Sequence, residues 1–131
     1  MAIRVAMILD TCALIFLASG DRRLSRGVRE RLSKQTARWF CAISSFEIAL
    51  KYREKKLELP LPPAQWLQKM SQRYALTEVP VDSALCLAAV ALPNHHRDPF
   101  DRFIIAAAKR LDVPVVTIDP RFQEYGVEII S

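Results

Sequence analysis

Val-Ala-Met-Ile-Leu-Asp-Thr, residues 5–11, is the stretch on which the fold turns. Five apolar residues in a row, without alternation, are the signature of a strand buried on both faces, and such strands belong to parallel sheets. A carboxylate, Asp10, closes the run, which predicts a buried strand and not a secretory segment. Cys12 to Ala18 then reads as a short helix, and Gly20-Asp21 as a turn. The same alternation continues outward. Strands are expected at Trp39–Ile43, Leu76–Val79, Val115–Ile118 and Val127–Ile130. Helices are expected from Leu24 to Gln35, Ser44 to Lys56, Ala64 to Tyr74, Asp82 or Ser83 to Leu92, and Pro99 to Leu111. Strands alternating with helices imply an α/β fold, a three-layer α/β/α sandwich around a central parallel sheet. Sheets of this kind bind ligands beyond the carboxyl ends of their strands.

The 131 residues make one domain, long enough for a full core. No apolar run is long enough to span a bilayer, so no membrane role is expected. Cys12, Cys41 and Cys86 lack metal or redox spacing and read as small apolar residues of a reducing, cytoplasmic protein. The net charge of +5 is local: residues 21–38 carry seven basic and two acidic side chains, and the rest is balanced at twelve of each. A basic helix containing Arg26 and Arg29 is either a footprint for a polyanion or a solvated face.

The second informative stretch is His-Arg-Asp-Pro-Phe-Asp-Arg-Phe-Ile-Ile-Ala-Ala-Ala-Lys-Arg, residues 96–110. Pro99 suits the first helical position, which makes Asp98 the cap. Asp101, Ile104, Ile105 and Ala108 have the spacing of a core-facing stripe, so Asp101 is expected to point inward. An inward carboxylate is costly unless a cation, donor or metal meets it.

Asp10, Glu47, Asp98, Asp101 and Asp119 all fall at strand-to-helix junctions, which a parallel sheet gathers on one edge. Most have a local explanation: Asp10, Asp98 and Asp119 can cap helices, Ser44 with Glu47 has capping-box spacing, and carboxylates such as Asp101 suit a first helical turn. Together, with no matching Lys or Arg expected at those junctions, they would repel one another. A hard divalent cation, Mg²⁺ or Mn²⁺, relieves that conflict. Three glycines leave no room for a dinucleotide fingerprint or P-loop. The adjacent pair His95-His96, without spaced partners, argues against zinc. A phospho-accepting domain would want a second acid beside Asp10 and a Lys within Val115–Asp119, and neither is present.

Leu-Asp-Thr-Cys-Ala-Leu-Ile-Phe-Leu (9–17), Ser-Ser-Phe-Glu-Ile-Ala-Leu-Lys (44–51), Lys-Leu-Glu-Leu-Pro (56–60), His-Arg-Asp-Pro-Phe-Asp-Arg-Phe-Ile-Ile-Ala (96–106) and Val-Thr-Ile-Asp…Tyr-Gly-Val (116–127) resemble the motifs of VapC-type PIN-domain ribonuclease toxins. The resemblance implies a PIN-like nuclease domain over residues 1–131 and Mg²⁺- or Mn²⁺-dependent hydrolysis of RNA by a metal-activated water. It places the catalytic and metal-binding acids on Asp10, Glu47, Asp101 and Asp119, with Asp98 as a neighbour of the third. It implies a small antitoxin covering the acid pocket, and a homodimer. Thr11 and Thr117 are candidate supporting hydroxyls, backbone bonding at strand ends being the other reading. Arg26, Arg29, Arg97 and Arg102 are candidate RNA contacts. Cys12 and Phe46 depart from the His and Trp common in close relatives, beside acids that are intact. The competing reading is a non-catalytic RNA- or partner-binding module on the same fold.

Overall fold

The computed structural model describes residues 5–34, 36–95 and 98–131. Five strands, β1 (Val5–Leu9), β2 (Thr36–Cys41), β3 (Leu76–Val79), β4 (Val115–Val116) and β5 (Ile129–Ile130), form one sheet in the order β3-β2-β1-β4-β5. Every pairing is parallel, and β1 is central, with Ile8 opposite Trp39 on one side and Val115 on the other. The sheet is therefore buried on both faces, as the unbroken apolar run of β1 requires.

Helices α1 (Thr11–Ser19), α2 (Arg26–Ser33), α3 (Ala42–Arg53), α4 (Pro63–Arg73), α5 (Ser83–Ala91) and α6 (Pro99–Leu111) alternate with the strands. A 3-10 helix, Pro120–Tyr125, follows β4. Successive residues of β1 serve opposite layers. Ile8 packs with Leu85 of α5, Ile104 and Ala108 of α6, and Phe122. Met7 and Leu9 pack with Phe16 and Leu17 of α1 and Val28 and Leu32 of α2. A further cluster joins Leu14 and Phe40 to Ile48, Trp66 and Met70. This is the expected three-layer α/β/α sandwich. No described helix is long and apolar enough to cross a membrane.

Local chemistry sets most helix ends. Asp82 caps α5 by accepting the Leu85 N–H at 2.8 Å, and Asp98 caps α6 by accepting that of Phe100 at 2.9 Å. Gly20 ends α1 at φ 70°, a backbone region where a side chain is strained, and its N–H returns to the Phe16 carbonyl. One junction differs from expectation. β2 ends at Cys41 and α3 begins at Ala42, so Ser44 lies inside the helix and the Ser44–Glu47 capping box does not form. Strands β4 and β5 are also shorter than the apolar runs that contain them.

The basic segment is largely used by the fold. Arg29 donates to the carbonyls of Phe16 (2.9 Å), Asp21 (2.7 Å) and Leu24 (3.3 Å), satisfying acceptors at the end of α1 and in the following turn. Arg38 donates to Leu32, Lys34 and Tyr74 carbonyls. Arg23 forks onto Asp21 and lies 4.2 Å above the Phe16 ring. Arg26 remains 94% exposed and pairs with Glu30 at 3.4 Å.

Candidate active site

Asp10 stands at the carboxyl end of β1 and caps α1, its Oδ1 accepting the Ala13 N–H at 2.7 Å. It is buried, and the Thr117 hydroxyl at the end of β4 donates to it. Thr117 Oγ1 accepts the Asp119 N–H at 3.0 Å, so one hydroxyl links two of the acids. Burial pushes the Asp10 carboxyl up from 3.8 to about 6 against those two hydrogen bonds, and the charges of Glu47 and Asp119 add to the rise.

Glu47 is buried in α3. Its Oε2 accepts from Lys51 Nζ at 2.7 Å, an i,i+4 pair that holds the ammonium above its usual pKa. Its Oε1 is buried with no hydrogen-bond partner. A carboxylate oxygen in that state is expensive unless something electropositive meets it.

Asp101 lies in the first turn of α6, one turn before the fully buried Ile104 and Ile105, and is itself half-buried. Desolvation, followed by the charges of Asp98, Asp10, Glu47 and Asp119, pushes its carboxyl up from 3.8 to about 8. The helix cap, Asp98, thus acts on it most strongly of four like charges. Asp119 caps the 3-10 helix, accepting the Arg121 N–H at 2.9 Å, and the Arg121 guanidinium forks onto its two oxygens. The five acids expected to converge from separate junctions therefore do act on one another.

Two expectations need correction. The acids are not without cations, since Lys51 and Arg121 each neutralise one. These cations engage Glu47 and Asp119, and Asp101 is the most strongly raised carboxyl. Cys12 is not a core residue: it is exposed, and desolvation with the charges of Asp10, Glu47 and Asp101 pushes its thiol up to about 11. Cys41 is buried, as expected. Thr11 and Ser44 share a buried hydroxyl–hydroxyl hydrogen bond of 2.8 Å, which ties the start of α1 to α3.

Of the candidate phosphate contacts, Arg97 lies outside the described residues. Arg102 donates to the carbonyls of Ala89 (3.1 Å), Leu92 (2.8 Å) and Pro93 (3.0 Å), and so closes the end of α5 in the way Arg29 closes α1. Phe46, which the sequence marked only as a departure beside Glu47, is 58% exposed, and its ring centroid is 5.8 Å from that of Phe100. Its position immediately before Glu47, off the buried face of α3, was the available signal.

Among the described residues, no group of three or more His, Cys, Asp or Glu side chains is placed to hold a metal ion by itself. The donor set still fits a hard cation. It is all carboxylate, one oxygen is buried and unpartnered, and the mutual repulsion falls most heavily on Asp101. Mg²⁺ is commonly held by one or two carboxylates with water and phosphate completing its shell, and an all-protein cage is not required.

A family model described as PIN domain matches residues 7–128. Ribonuclease VapC22 of Mycobacterium tuberculosis is 28% identical over 120 residues, covering 91% of each chain. Similar solved structures include a chain of VapBC2 from Rickettsia felis, bound to a DNA fragment from its promoter. It aligns at a TM-score of 0.71 and 14% identity, over 96% of this chain and 98% of that one. Another is VapBC-1 from nontypeable Haemophilus influenzae, at a TM-score of 0.67 and 12% identity, over 97% and 98%. With nearly its whole length inside the family model and its acids gathered at the carboxyl edge of the sheet, this chain belongs to the PIN domain family.

Proposed function

We propose that this PIN domain is a divalent-metal-dependent endoribonuclease, the toxin of a VapBC-type toxin–antitoxin pair. The observation that carries the reading is the acid cluster. Asp10, Glu47, Asp101 and Asp119 act on one another's charge at one edge, and one buried Glu47 oxygen lacks a partner. A divalent cation among them relieves that mutual repulsion. Ribonuclease VapC22 supports RNA as the substrate.

Asp10 and Asp101 would hold Mg²⁺ or Mn²⁺ directly, with Glu47 and Asp119 completing the set and Asp98 adding charge at its rim. A bound ion supplies polarisation of a phosphate oxygen and a lowered pKa for water. The chain's own residues fix the acceptors. Thr117 orients Asp10 and carries Asp119 with it. Lys51 pins one Glu47 oxygen and so aims the other inward. Arg121 brackets Asp119 from outside. Thr11, bonded to Ser44, keeps α1 and α3 in register beneath the acids. Arg26 and Arg97 remain the candidate contacts for flanking phosphates.

The partners proposed are a small antitoxin over the acids and a second copy of the chain across α5. Leu87 and Val90 of that helix are 72% and 79% exposed. Beside them lies a cleft of about 490 Å³ whose floor includes Ala88, Ala91, Leu92 and Ala106. A knob and a hole on one face are what a two-fold contact needs. We place the pair in the cytoplasm, where the three free cysteines stay reduced.

The test is incubation of purified, antitoxin-free protein with a pool of structured cellular RNAs in Mg²⁺, in Mn²⁺ and in EDTA. Discrete cleavage products with either metal and none in EDTA are expected. No cleavage by folded protein in either metal overturns the enzyme reading in favour of a non-catalytic binding module.

A further inference from the structure

Phe46 and Phe100 come from different helices, and each immediately precedes an acid of the site, Glu47 and Asp101 respectively. Their ring centroids are 5.8 Å apart at an angle of 37°, a tilted contact that backs Phe46 with an aromatic neighbour. Phe46 is nevertheless 58% exposed. The inward face of α3 is formed by Ser44, Glu47 and Ile48, so packing the helix on the sheet leaves Phe46 outside the core. An aromatic ring thus stands in solvent beside the acid-bearing turns of α3 and α6.

The same region is poor in disengaged cations among the described residues. Lys51 pairs with Glu47, Arg121 with Asp119, and Arg102 with carbonyls of α5 and its following turn. RNA bound here can draw on a source of affinity beyond ionic contacts. Unstacked nucleobases supply one, because every base offers a π-face to an aromatic side chain. We infer that Phe46, backed by Phe100, is a stacking shelf for an unpaired nucleobase of RNA beside the acid pocket. The inference rests on the nuclease reading for its substrate, and it assigns Phe46 a binding role, with no part in the chemical step.

The probe is a set of short single-stranded RNAs, each with 2-aminopurine at one position, titrated with Asp101→Asn protein so that the strand stays intact. At least one position should lose fluorescence on binding. Phe46→Ala in that background should abolish the loss and raise Kd about 10-fold, with the salt slope unchanged. Phe46→Trp should retain both, and Phe46→Leu, which keeps apolar area without a π-face, should behave like Phe46→Ala. In otherwise wild-type protein, Phe46→Ala should raise KM and leave kcat near its original value. Quenching independent of Phe46, or Phe46→Leu matching wild type, overturns the shelf. So does loss of protein–protein association in Phe46→Ala with RNA binding intact, which would make the ring part of a protein interface. Wild-type protein that never cleaves RNA but shows Phe46-dependent quenching would defeat the nuclease reading and leave the shelf standing. Cleavage with Phe46-independent quenching would do the reverse.

Discussion

Replacing Asp101 by Asn should make the metal-free domain more stable at alkaline pH while removing its activity. Desolvation and four neighbouring carboxylates push the Asp101 carboxyl from 3.8 to about 8. In the unfolded chain it titrates near its ordinary value, so between about pH 4 and pH 8 the folded state holds a proton that the unfolded state has lost. Stability conferred by that proton is complete at about pH 4, falls as pH rises, and is gone above about pH 8. Asp10, pushed to about 6, adds a similar fall over the lower part of that range. The displacement at Asp101 corresponds to at most roughly 6 kcal/mol. Asp101 is only half-buried, and solvent screening reduces the expected gain to about 1–2 kcal/mol. Asn is neutral throughout, so the advantage of Asp101→Asn should be near zero at about pH 4 and full by about pH 8.5. For a domain of this length it should appear as a Tm higher by roughly 3–10 °C. Urea and thermal unfolding followed by circular dichroism, in EDTA across that pH range, measures it. Added Mn²⁺ should stabilise wild type and not Asp101→Asn. A stability difference independent of pH, or a variant less stable than wild type at about pH 8.5, would refute the claim that like charge is concentrated on Asp101.

Other expectations follow from the way cations and apolar faces are used. Arg29→Gln should cost about 1–3 kcal/mol in urea unfolding, because carbonyls at the end of α1 lose their donors, and should leave the salt slope of RNA binding unchanged. Arg26→Gln, at a side chain 94% exposed, should leave stability within about 0.5 kcal/mol and flatten that slope. Leu87→Glu should shift sedimentation velocity from dimer to monomer without lowering Tm, since the side chain is 72% exposed in the single chain.

The sheet was legible because a strand buried on both faces has no polar face to mislead, and β1, β3 and α6 fall where their residues predict. Asp98 and Pro99 fixed the start of α6 through a purely local cap. The start of α3 was not legible. Ser44 and Glu47 have capping-box spacing, yet Ser44 is drawn inward by Thr11, which lies 33 positions away and meets it only because β1 and β2 pair in parallel. The charge of residues 21–38 was visible, but its use was not. Whether an arginine faces a polyanion or the open end of a helix depends on where that helix stops, as Arg29 and Arg102 show. The same holds for α5. Its nearly unbroken apolar composition carries no period that tells its faces apart, and Leu87 and Val90 are exposed. The convergence of the acids was readable from topology alone, since a parallel sheet brings its carboxyl ends together. The pairing of Glu47 with Lys51 was present in the i,i+4 spacing and was outweighed by the capping reading.

The most direct test of the central claim is single-turnover cleavage of one susceptible RNA in Mg²⁺ by wild type, Asp10→Asn and Asp101→Asn, each shown to be folded by circular dichroism. Cleavage by wild type, with rates lower by at least about 100-fold in both variants, is the predicted result. Undiminished cleavage by both folded variants would contradict the assignment of the acid edge as the catalytic centre.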